Sequence, residues 1–466
     1  MTWTSEKARA LTDRILSFSK ARECEVSLGL SEKGHTRFAA DEVTTAGTAR
    51  TVEVQITSRE GGRSGSTTTD ELDDSLLREA VARSESLMAA ARPDPEQVEG
   101  LGPQDYPAIP AYDEATASAG PARRRDGVRP ALDRARARGL DGAGFFETSA
   151  TWAAIANKKG NFGFHRSTNA AYSVTMRTAD GTGSGYAGFA SPRVADVDAA
   201  ALAERAAAKA EASAHPRDLP PGRYPVILEP EAVAELLMWL VFSMNARSVD
   251  EGRSFLSKPG GGSRRGEKVF ADGVTLRSDP FDRRNPGRPW AGFAGRWAGF
   301  AGRFVAGWLA DQLGDHRGLP ARRTTWIENG VVRALPVDRY WAKKTGGEPV
   351  SFSGDLILAG SDKTLEALIA ETERALLVTR FWYIRSVNPL NATVTGLTRD
   401  GVWLVEKGKI VHPVNNFRFN DSPVNLLTNL EATSTPVRAG GSESVSMIVP
   451  AVRARDFLFT SRSDAV

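Results

Sequence analysis

The chain has 466 residues, too long for one small core, and at roughly 150 residues per domain this predicts two or three units. Hydrophobic residues make up 41%, charged residues 25% and aromatic residues 8%, which disfavours disordered chains, collagen and coiled-coil rods. Sixty Lys and Arg against 57 Asp and Glu leave a formal charge of +3. Charge alone therefore indicates neither a nucleic-acid partner nor an anionic membrane.

The sequence suggests a reducing compartment. Cys24 is the only cysteine, which excludes an intrachain disulfide and a cysteine-based zinc cluster. Residues 2–20 mix acidic and basic side chains without a continuous apolar segment, so we expect no signal peptide. The longest apolar run, residues 236–242, is far shorter than the roughly 20 residues that span a bilayer. We expect a cytoplasmic protein without a membrane partner.

The first predicted unit, residues 1–100, combines helices and strands. Apolar residues at three- and four-residue spacing from Ala8 to Phe18 predict an amphipathic helix, which Thr4 or Ser5 can cap. Alternating apolar residues at 24–30 and 52–56 predict half-buried strands, and residues 72–81 return to helical spacing. These elements predict an α/β sandwich-like unit. Residues 91–121, rich in Pro, Ala and acidic side chains, are typical of a linker.

The second predicted unit, residues 122–215, is β-rich with a long helix. A basic stretch at 123–138 predicts a first helix, and residues 145–187 alternate Gly, Asn, Thr and aromatic residues in the manner of strands and turns. The Ala-rich stretch at 198–214 predicts the long helix. Pro216, Pro220 and Pro221 end it and mark the clearest domain boundary.

The third predicted unit, residues 222–460, is β-rich with a few helices. A strand at 225–228 precedes a helix that begins near Pro230 and has a wide apolar face. Asn329-Gly330, Asp400-Gly401 and Lys407-Gly408 lie between apolar runs and predict tight hairpins. Residues 365–376 follow helical spacing. We predict a sheet or barrel here, and an α+β fold for the whole chain.

Local motifs for common site chemistries are weak. Gly183, Gly185 and Gly188 match the dinucleotide-binding spacing, but Pro192 and the delayed helix favour a glycine-rich hairpin. The five histidines, at positions 35, 165, 215, 316 and 412, include no pair at helical metal-ligand spacing, although distant residues could still assemble a metal site. The arginines of residues 123–138 lie among acidic residues without interleaved aromatics, which favours a solvated helix face over nucleic-acid binding.

Residues 290–296 and 297–303 are identical copies of WAGFAGR. In a helix the two copies would form one aromatic stripe that needs a partner surface, a substrate or a membrane to order it, because each copy carries two glycines. A duplicated insertion in a surface loop is the favoured alternative. We therefore expect residues 290–316 to be an aromatic repeat insertion, and deletion of one copy to change thermal stability little.

Five segments of the third unit resemble the TldD/PmbA family. They are RYPVILEPEAVAELL (223–237), RRGEKVFADGVTLRSDP (264–280), LPARRTTWIENGVV (319–332), LLVTRFWYIRSVNP (376–389) and TGLTRDGVWLVEKGKIVHPVNNFRFNDS (395–422). A weaker likeness extends to RFAADEVTT and RSGSTTTDEL near the N-terminus. The resemblance implies a cytoplasmic pair of homologous subunits, historically labelled modulators of DNA gyrase, that degrade unfolded or leader peptides.

The family has a metal-bearing subunit type with an H-E-x-x-x-H helix and a later cysteine ligand. Matching Leu236 and Leu237 to that helix puts Met238, Trp239 and Ser243 at the His, Glu and His positions, and no cysteine follows Cys24. A hydrolytic zinc needs about three protein ligands and a nearby base. The pattern resembles the metal-free PmbA (TldE) subunit, which completes the substrate chamber beside its partner.

We therefore expect a metal-free subunit of a heteromeric peptidase, with no cofactor and no catalytic residue in this chain. Zinc is expected in a TldD-like homologous subunit, peptide is the expected substrate, and nucleic acid is not expected as a partner. One alternative is an autonomous peptidase with a site assembled from scattered groups such as His165, His412, Asp400 and Glu406. Another is a stand-alone protein that binds peptides or nucleic acids.

Overall fold

The computed structural model describes residues 3–40, 42–291, 316–352, 354–440 and 445–464. Helices account for 25% of the chain and strands for 41%, so the predicted α+β class is confirmed. Within the described residues, no helix is long and apolar enough to cross a bilayer.

The elements before residue 215 form one antiparallel sheet with helices on it. They are α1 (Ser5–Phe18), β1 (Glu23–Ala39), β2 (Glu42–Glu60), β3 (Arg63–Thr69), α2 (Asp74–Ala90), α3 (Glu114–Ala117), α4 (Pro121–Arg138), β4 (Leu140–Asn157), β5 (Phe162–Thr178), β6 (Ser184–Ser191), a 3-10 turn (Val194–Asp196) and α5 (Ala199–Ala212). The strand order is β3-β2-β1-β4-β5-β6. Strands from both predicted N-terminal units therefore share one sheet, because β1 pairs with β4 from Glu25 to Phe38.

Two apolar clusters hold the helices to this sheet. Burial alternates along β1 with the period of two that a strand with one buried face requires. Residues from α1 and α2 pack with β1, β2 and β4, whereas those from α4 and α5 pack mainly with β4, β5 and β6. At the start of α1, Thr4 Oγ1 accepts a hydrogen bond from the Lys7 amide at 3.3 Å, which confirms the predicted N-cap.

The glycines of β6 have a packing role. A Cβ on Gly185 would lie 2.2 Å from the Ala206 carbonyl oxygen in α5, and a Cβ on Gly183 would lie 2.3 Å from that of Ala210. The residues lie in and beside a β5–β6 hairpin, as predicted, and their lack of a side chain lets α5 lie directly on the sheet.

The prediction of a solvated arginine face on α4 is wrong for Arg124. This side chain is 3% exposed and donates from Nη1 to the Ala119 carbonyl at 2.7 Å and to Thr148 Oγ1 at 2.8 Å. Gly34 in β1 makes room for the guanidinium, because a Cβ there would lie 2.3 Å from Arg124 Cζ. Arg123, Arg125 and Arg129 are exposed, as expected.

The elements after residue 220 build a barrel and a second sheet. They are β7 (Gly222–Leu228), α6 (Pro230–Phe242), α7 (Ala246–Asp250), β8 (Leu276–Ser278), β9 (Thr324–Glu328), β10 (Val331–Val332), α8 (Arg339–Thr345), β11 (Leu356–Leu358), α9 (Leu365–Ala370), β12 (Arg374–Asn388), β13 (Thr393–Glu406), β14 (Lys409–Pro413), β15 (Asn416–Asp421), α10 (Pro423–Thr428), β16 (Leu430–Thr433), β17 (Val437–Ala439), β18 (Met447–Val449) and β19 (Val452–Ser463).

Five of these strands close on themselves. The pairing runs β12-β7-β19-β15-β13 and returns to β12, so the predicted "sheet or barrel" is a barrel. Its interior is filled by aromatic rings, among them Phe381 and Phe419 with ring centroids 4.5 Å apart. The second sheet has the order β10-β9-β8-β11-β18-β17. Helix α6 contributes to the large apolar core shared by the barrel and this sheet.

Two of the three predicted hairpins are confirmed. Asn329-Gly330 joins β9 to β10 and Lys407-Gly408 joins β13 to β14, with positive φ at all four residues. The prediction for Asp400-Gly401 is wrong, because both residues lie inside β13. Val402 pairs with Val378 and Arg399 with Arg380, so Asp400 and Gly401 together face Thr379. A β-bulge uses the same left-handed backbone as a tight turn, which explains the error.

The ends of the predicted aromatic insertion are buried. Trp290 is 2% exposed, Ala291 3% and His316 4%. Trp290 packs on Tyr106, with ring centroids 5.4 Å apart. This residue therefore differs from the surface-loop expectation, since it fills a contact between the sheet and the C-terminal region. The rest of the insertion, residues 292–315, lies outside the described residues.

Candidate functional site

Helix α6 is the element on which the sequence places the altered motif. It follows β7 directly, with Glu229 at the N-cap and Pro230 in the first turn, where a proline fits the helix geometry. Most of its residues from Ala232 to Phe242 are buried. An apolar helix buried on nearly all sides belongs to the interior of a domain, so side chains on α6 meet protein rather than water.

The three altered motif positions are occupied by packed side chains. Met238 is 5% exposed and belongs to the main core. Trp239 is half-buried and meets Phe242 edge to face, with ring centroids 6.2 Å apart. Ser243 donates from Oγ to the Trp239 carbonyl at 3.0 Å. A thioether, an indole and a backbone-bonded hydroxyl do not fit the ligand set of a hydrolytic zinc.

Acidic and sulfur ligands do not converge elsewhere in the part of the chain that the structure describes. Within these residues, no group of three or more His, Cys, Asp and Glu side chains is placed to share a metal ion. Cys24 is 1% exposed, and burial raises the pKa of its thiol. A buried thiol of this kind packs as a small apolar side chain.

Glutamate side chains of α6 and its N-cap bind groups on neighbouring elements. Glu229 accepts from Lys209 Nζ of α5 with both carboxylate oxygens, at 2.7 and 2.6 Å. Glu235, 2% exposed, accepts from the Phe381 amide at 3.1 Å. Burial and the neighbouring Glu229 raise the pKa of Glu231. The N-terminal half of α6 is therefore tied to α5 and β12 by carboxylates.

A buried ion pair lies at the bulge in β13. Arg380 Nε is 2.5 Å from Asp400 Oδ2, with side-chain exposures of 9% and 0%. Ser184 of β6 donates from Oγ to Asp400 Oδ1 at 2.6 Å, and the Arg380 guanidinium lies 4.2 Å from the ring centroid of Tyr186. Burial raises the pKa of Tyr186 to about 12. The partners of Asp400 already satisfy its carboxylate, which suits a structural joint between barrel and sheet.

The scattered groups of the alternative catalytic hypothesis have different neighbours. Asp400 faces Arg380, whereas Glu406 lies on the outside of the barrel at 3.5 Å from Arg374. His412 lies in β14, with Nδ1 at 3.1 Å from the Pro413 carbonyl oxygen. His165 lies in β5, 6% exposed and edge to face with Trp290 at 6.4 Å. The structure does not bring the four side chains into one cluster.

His165 has an unusual environment. Burial, with a smaller contribution from the charge of Arg288, lowers the pKa of its imidazole to about 3. Trp290, which packs against the His165 ring, also lines a cavity of about 30 Å³ together with Glu25 and Asn157. Such a volume suits roughly one water molecule and excludes a peptide. We assign His165 to the packing between the sheet and the C-terminal region.

The sequence did not single out Lys209, Glu229 or Arg380, which form these joints. One local feature of the sequence could have indicated a buried polar contact. Glu235 is a lone acidic residue within the apolar run of α6, and a buried carboxylate needs a hydrogen-bond partner. The partners themselves come from strands and helices far along the chain, such as Phe381 for Glu235. Sequence spacing carries no information about those pairs.

Comparison with known proteins connects these features to one family. A model described as the PmbA/TldA metallopeptidase C-terminal domain matches residues 221–461, and one for the central domain matches residues 114–214. The first match alone covers more than half of the chain. No curated protein sequence matches.

Three solved structures share the fold over nearly the whole chain. TldE from Thermococcus kodakarensis has a TM-score of 0.81 at 19% identity, covering 97% of this chain and 100% of that one. A candidate modulator of DNA gyrase from Thermotoga maritima MSB8 gives 0.80 at 17% identity, with the same coverage. A second such protein, from Bacteroides thetaiotaomicron VPI-5482, gives 0.79 at 20% identity, covering 98% and 99%.

Proposed function

This chain belongs to the PmbA/TldD metallopeptidase family, and from that premise we propose that it is a TldE-type subunit of a heteromeric peptidase. In this proposal a homologous TldD-like subunit holds the zinc and cleaves unfolded or leader peptides. The chain described above supplies structure and helps to contain the peptide. The fold shared with a protein named TldE supports the assignment to this subunit type.

The observation that carries the proposal is the packing of α6. Met238, Trp239 and Ser243, which the family resemblance matches to the positions of the zinc-binding motif, offer neither a ligand pair nor a general base. Moving the Met238 side chain out of its site would leave a cavity in the core. This part of α6 therefore has a packing role. A subunit of this kind contributes to catalysis only through a partner.

The test measures metal content and hydrolysis on one sample. The purified chain alone should contain far less than one zinc per molecule by elemental analysis and should not cleave an unfolded peptide. Adding a TldD-like subunit should give chelator-sensitive cleavage faster than that subunit alone. A partner whose zinc-binding helix has been substituted is the control, and its mixture should be inactive.

Two results would contradict the proposal. Stoichiometric zinc with chelator-sensitive cleavage by the chain alone would show a catalytic site in this subunit. A TldD-like partner whose rate does not change on addition of the chain would exclude a heteromeric role. His165→Ala and His412→Ala serve as additional variants, because both should retain the stimulating effect if neither histidine takes part in catalysis.

A further inference from the structure

An open groove lies between the linker and the start of β9. It has a volume of about 550 Å³ and is lined by Gln104, Asp105 and Pro107 of the linker, by Phe281 and by residues 320–323. Ligand pockets in proteins usually have volumes of roughly 300–1,000 Å³, so the groove is large enough for a short peptide segment. It shares no lining residue with α6 or with the smaller cavity beside Trp290.

The linker wall of the groove is held in place by Tyr106. This side chain donates from Oη to the Gly318 carbonyl oxygen at 2.7 Å, and Asn161 Nδ2 donates to the same hydroxyl at 2.8 Å. Asn161 Oδ1 also accepts from the Gln104 amide at 3.2 Å. These bonds tie the linker to the segment that continues into residues 320–323. The groove is therefore formed before a ligand binds, which lowers the cost of ordering it.

Arg323 holds its guanidinium in a fixed orientation at this groove. Its Nε donates to both carboxylate oxygens of Asp279, at 3.0 and 3.1 Å, and its Cζ lies 4.9 Å from the centre of the Phe281 ring. The Asp279 side chain is 15% exposed and that of Arg323 is 69% exposed. Among the residues that the structure describes, the two Nη groups of Arg323 have no hydrogen-bond partner. A planar set of donors of this kind matches a carboxylate.

The charges around the groove favour a ligand with a single negative charge. Arg322 is exposed and lines the groove next to Arg323. Two carboxylates accompany these two cations, because Asp279 pairs with Arg323 and Asp105 lines the groove from the linker. A dianionic phosphate or a run of acidic side chains would be repelled by Asp105. A single carboxylate on the two arginines is the better match.

The rest of the lining is mainly apolar. Phe281, Pro107, Pro320 and Ala321 contribute it. Proline has no backbone N–H and a rigid ring, so these residues offer surface for packing rather than donors for hydrogen bonds. An apolar side chain next to the bound carboxylate would therefore be removed from water by this surface.

We propose that this groove binds the C-terminal end of a peptide. The α-carboxylate lies on Arg322 and Arg323, and an apolar last side chain packs against Phe281 and Pro320. The choice of a peptide as the ligand rests on the proposed function, whereas the binding itself requires neither zinc nor a partner subunit. Every unfolded peptide carries a C-terminal carboxylate, so a site of this kind would hold peptides of many sequences by their free end.

Isothermal titration calorimetry on the full chain tests the recognition of the carboxylate. The probe is an N-acetylated tetrapeptide of three alanines and a final phenylalanine, used as the free acid and as the C-terminal amide. The free acid should bind about tenfold more tightly, because charge-assisted hydrogen bonds to the arginines are stronger than neutral ones. Arg322→Gln should weaken binding of the free acid about tenfold and leave binding of the amide unchanged.

Two further variants separate a specific site from general attraction. Arg283→Gln is the matched control, since Arg283 is exposed and lies two residues after Phe281 but outside the lining. It should change the affinity by less than about twofold. Asp105→Asn should tighten binding of the free acid about threefold, because it removes a carboxylate that repels the ligand. A misfolded variant would not bind more tightly.

Four results would overturn the proposal. They are absence of binding by either form of the peptide, equal binding of the free acid and the amide, an equal loss in Arg322→Gln and Arg283→Gln, and weaker binding in Asp105→Asn. Displacement of the peptide by inorganic phosphate at a concentration at which acetate has no effect would assign the groove to a phosphate ligand instead. None of these results decides the subunit proposal, which is tested by cleavage in the presence of a TldD-like subunit.

Discussion

Lys209 at the end of α5 donates to both carboxylate oxygens of Glu229 at the start of α6, at 2.7 and 2.6 Å. The pair joins the last helix on the six-stranded sheet to the first helix of the barrel region. The side chains are 17% and 8% exposed, so water screens the interaction little. Glu229 also lies 3.4 Å from Thr379 Oγ1 of β12, next to the β13 bulge.

Lys209→Met should lower the free energy of unfolding by about 2–4 kcal/mol, because it leaves the Glu229 carboxylate buried without its cation. Urea denaturation measures the change. Lys363→Met is the control: its ion pair with Glu371 has side chains 40% and 46% exposed, and its loss should cost at most about 1 kcal/mol. The double variant Lys209→Met/Glu229→Gln should recover part of the loss. An equal loss of stability in Lys209→Met and Lys363→Met would contradict this prediction.

Asp400→Asn should destabilise the chain by about 3–5 kcal/mol, because Asp400 is fully buried and the change removes the carboxylate that pairs with the buried Arg380 guanidinium. Asparagine tolerates the positive φ of this position, so the backbone is not strained by the change. Glu406→Gln on the same strand is the matched control. Its pair with Arg374 is exposed, and the loss should stay within about 1 kcal/mol. Chemical denaturation distinguishes the two, and a similar loss for both would refute the structural role of Asp400.

The stability of the chain should fall on acidification through His165. Its pKa is held at about 3 in the folded state, below its ordinary value of 6.5. Between these values the unfolded chain binds a proton that the folded chain excludes, so stability is complete above about pH 6.5 and is lost as the pH falls toward 3. The contribution is about 1.4 kcal/mol per pH unit.

The measurement compares wild type with His165→Gln at pH 7 and pH 5. The variant should show the shallower pH dependence, whatever its stability at pH 7. Trp290→Phe is the control, because it changes the neighbour of His165 but keeps the imidazole, and it should retain the wild-type slope. The same slope in His165→Gln and wild type would show that this histidine does not titrate differently on folding.

Trp290→Ala should destabilise the chain by about 3–5 kcal/mol, because it removes a buried ring from its contact with Tyr106. Thermal denaturation measures the effect. Deletion of the second WAGFAGR copy, residues 297–303, is the comparison, and under the insertion hypothesis it should change stability little. A large loss on deletion would show that the second copy also contributes to the core.

The sequence predicted the elements better than their contacts. Helical and alternating periodicities identified α1 and the core of β1, because such local patterns reflect which face of an element is buried. The match of the altered motif positions to Met238, Trp239 and Ser243, on α6 and at its C-cap, stays a prediction. The Asp400-Gly401 dipeptide was misassigned, since turns and bulges demand the same backbone. Arg124 was expected on the surface, because the sequence around it does not show that Gly34, on a distant strand, leaves room for its guanidinium.

The pairing of β1 with β4 joins the first hundred residues to the rest of the sheet. It joins fourteen residue pairs, from Glu25 with Asn157 to Phe38 with Gly144, across a long interval of sequence. A cut in the linker near residue 100 would leave two fragments, each with three strands of the same sheet. In each fragment the backbone groups of one long strand edge would lose their hydrogen-bond partners. Neither fragment completes the sheet alone. Co-expressed halves should therefore recombine by strand complementation, and that recombination would report on folding of the whole chain.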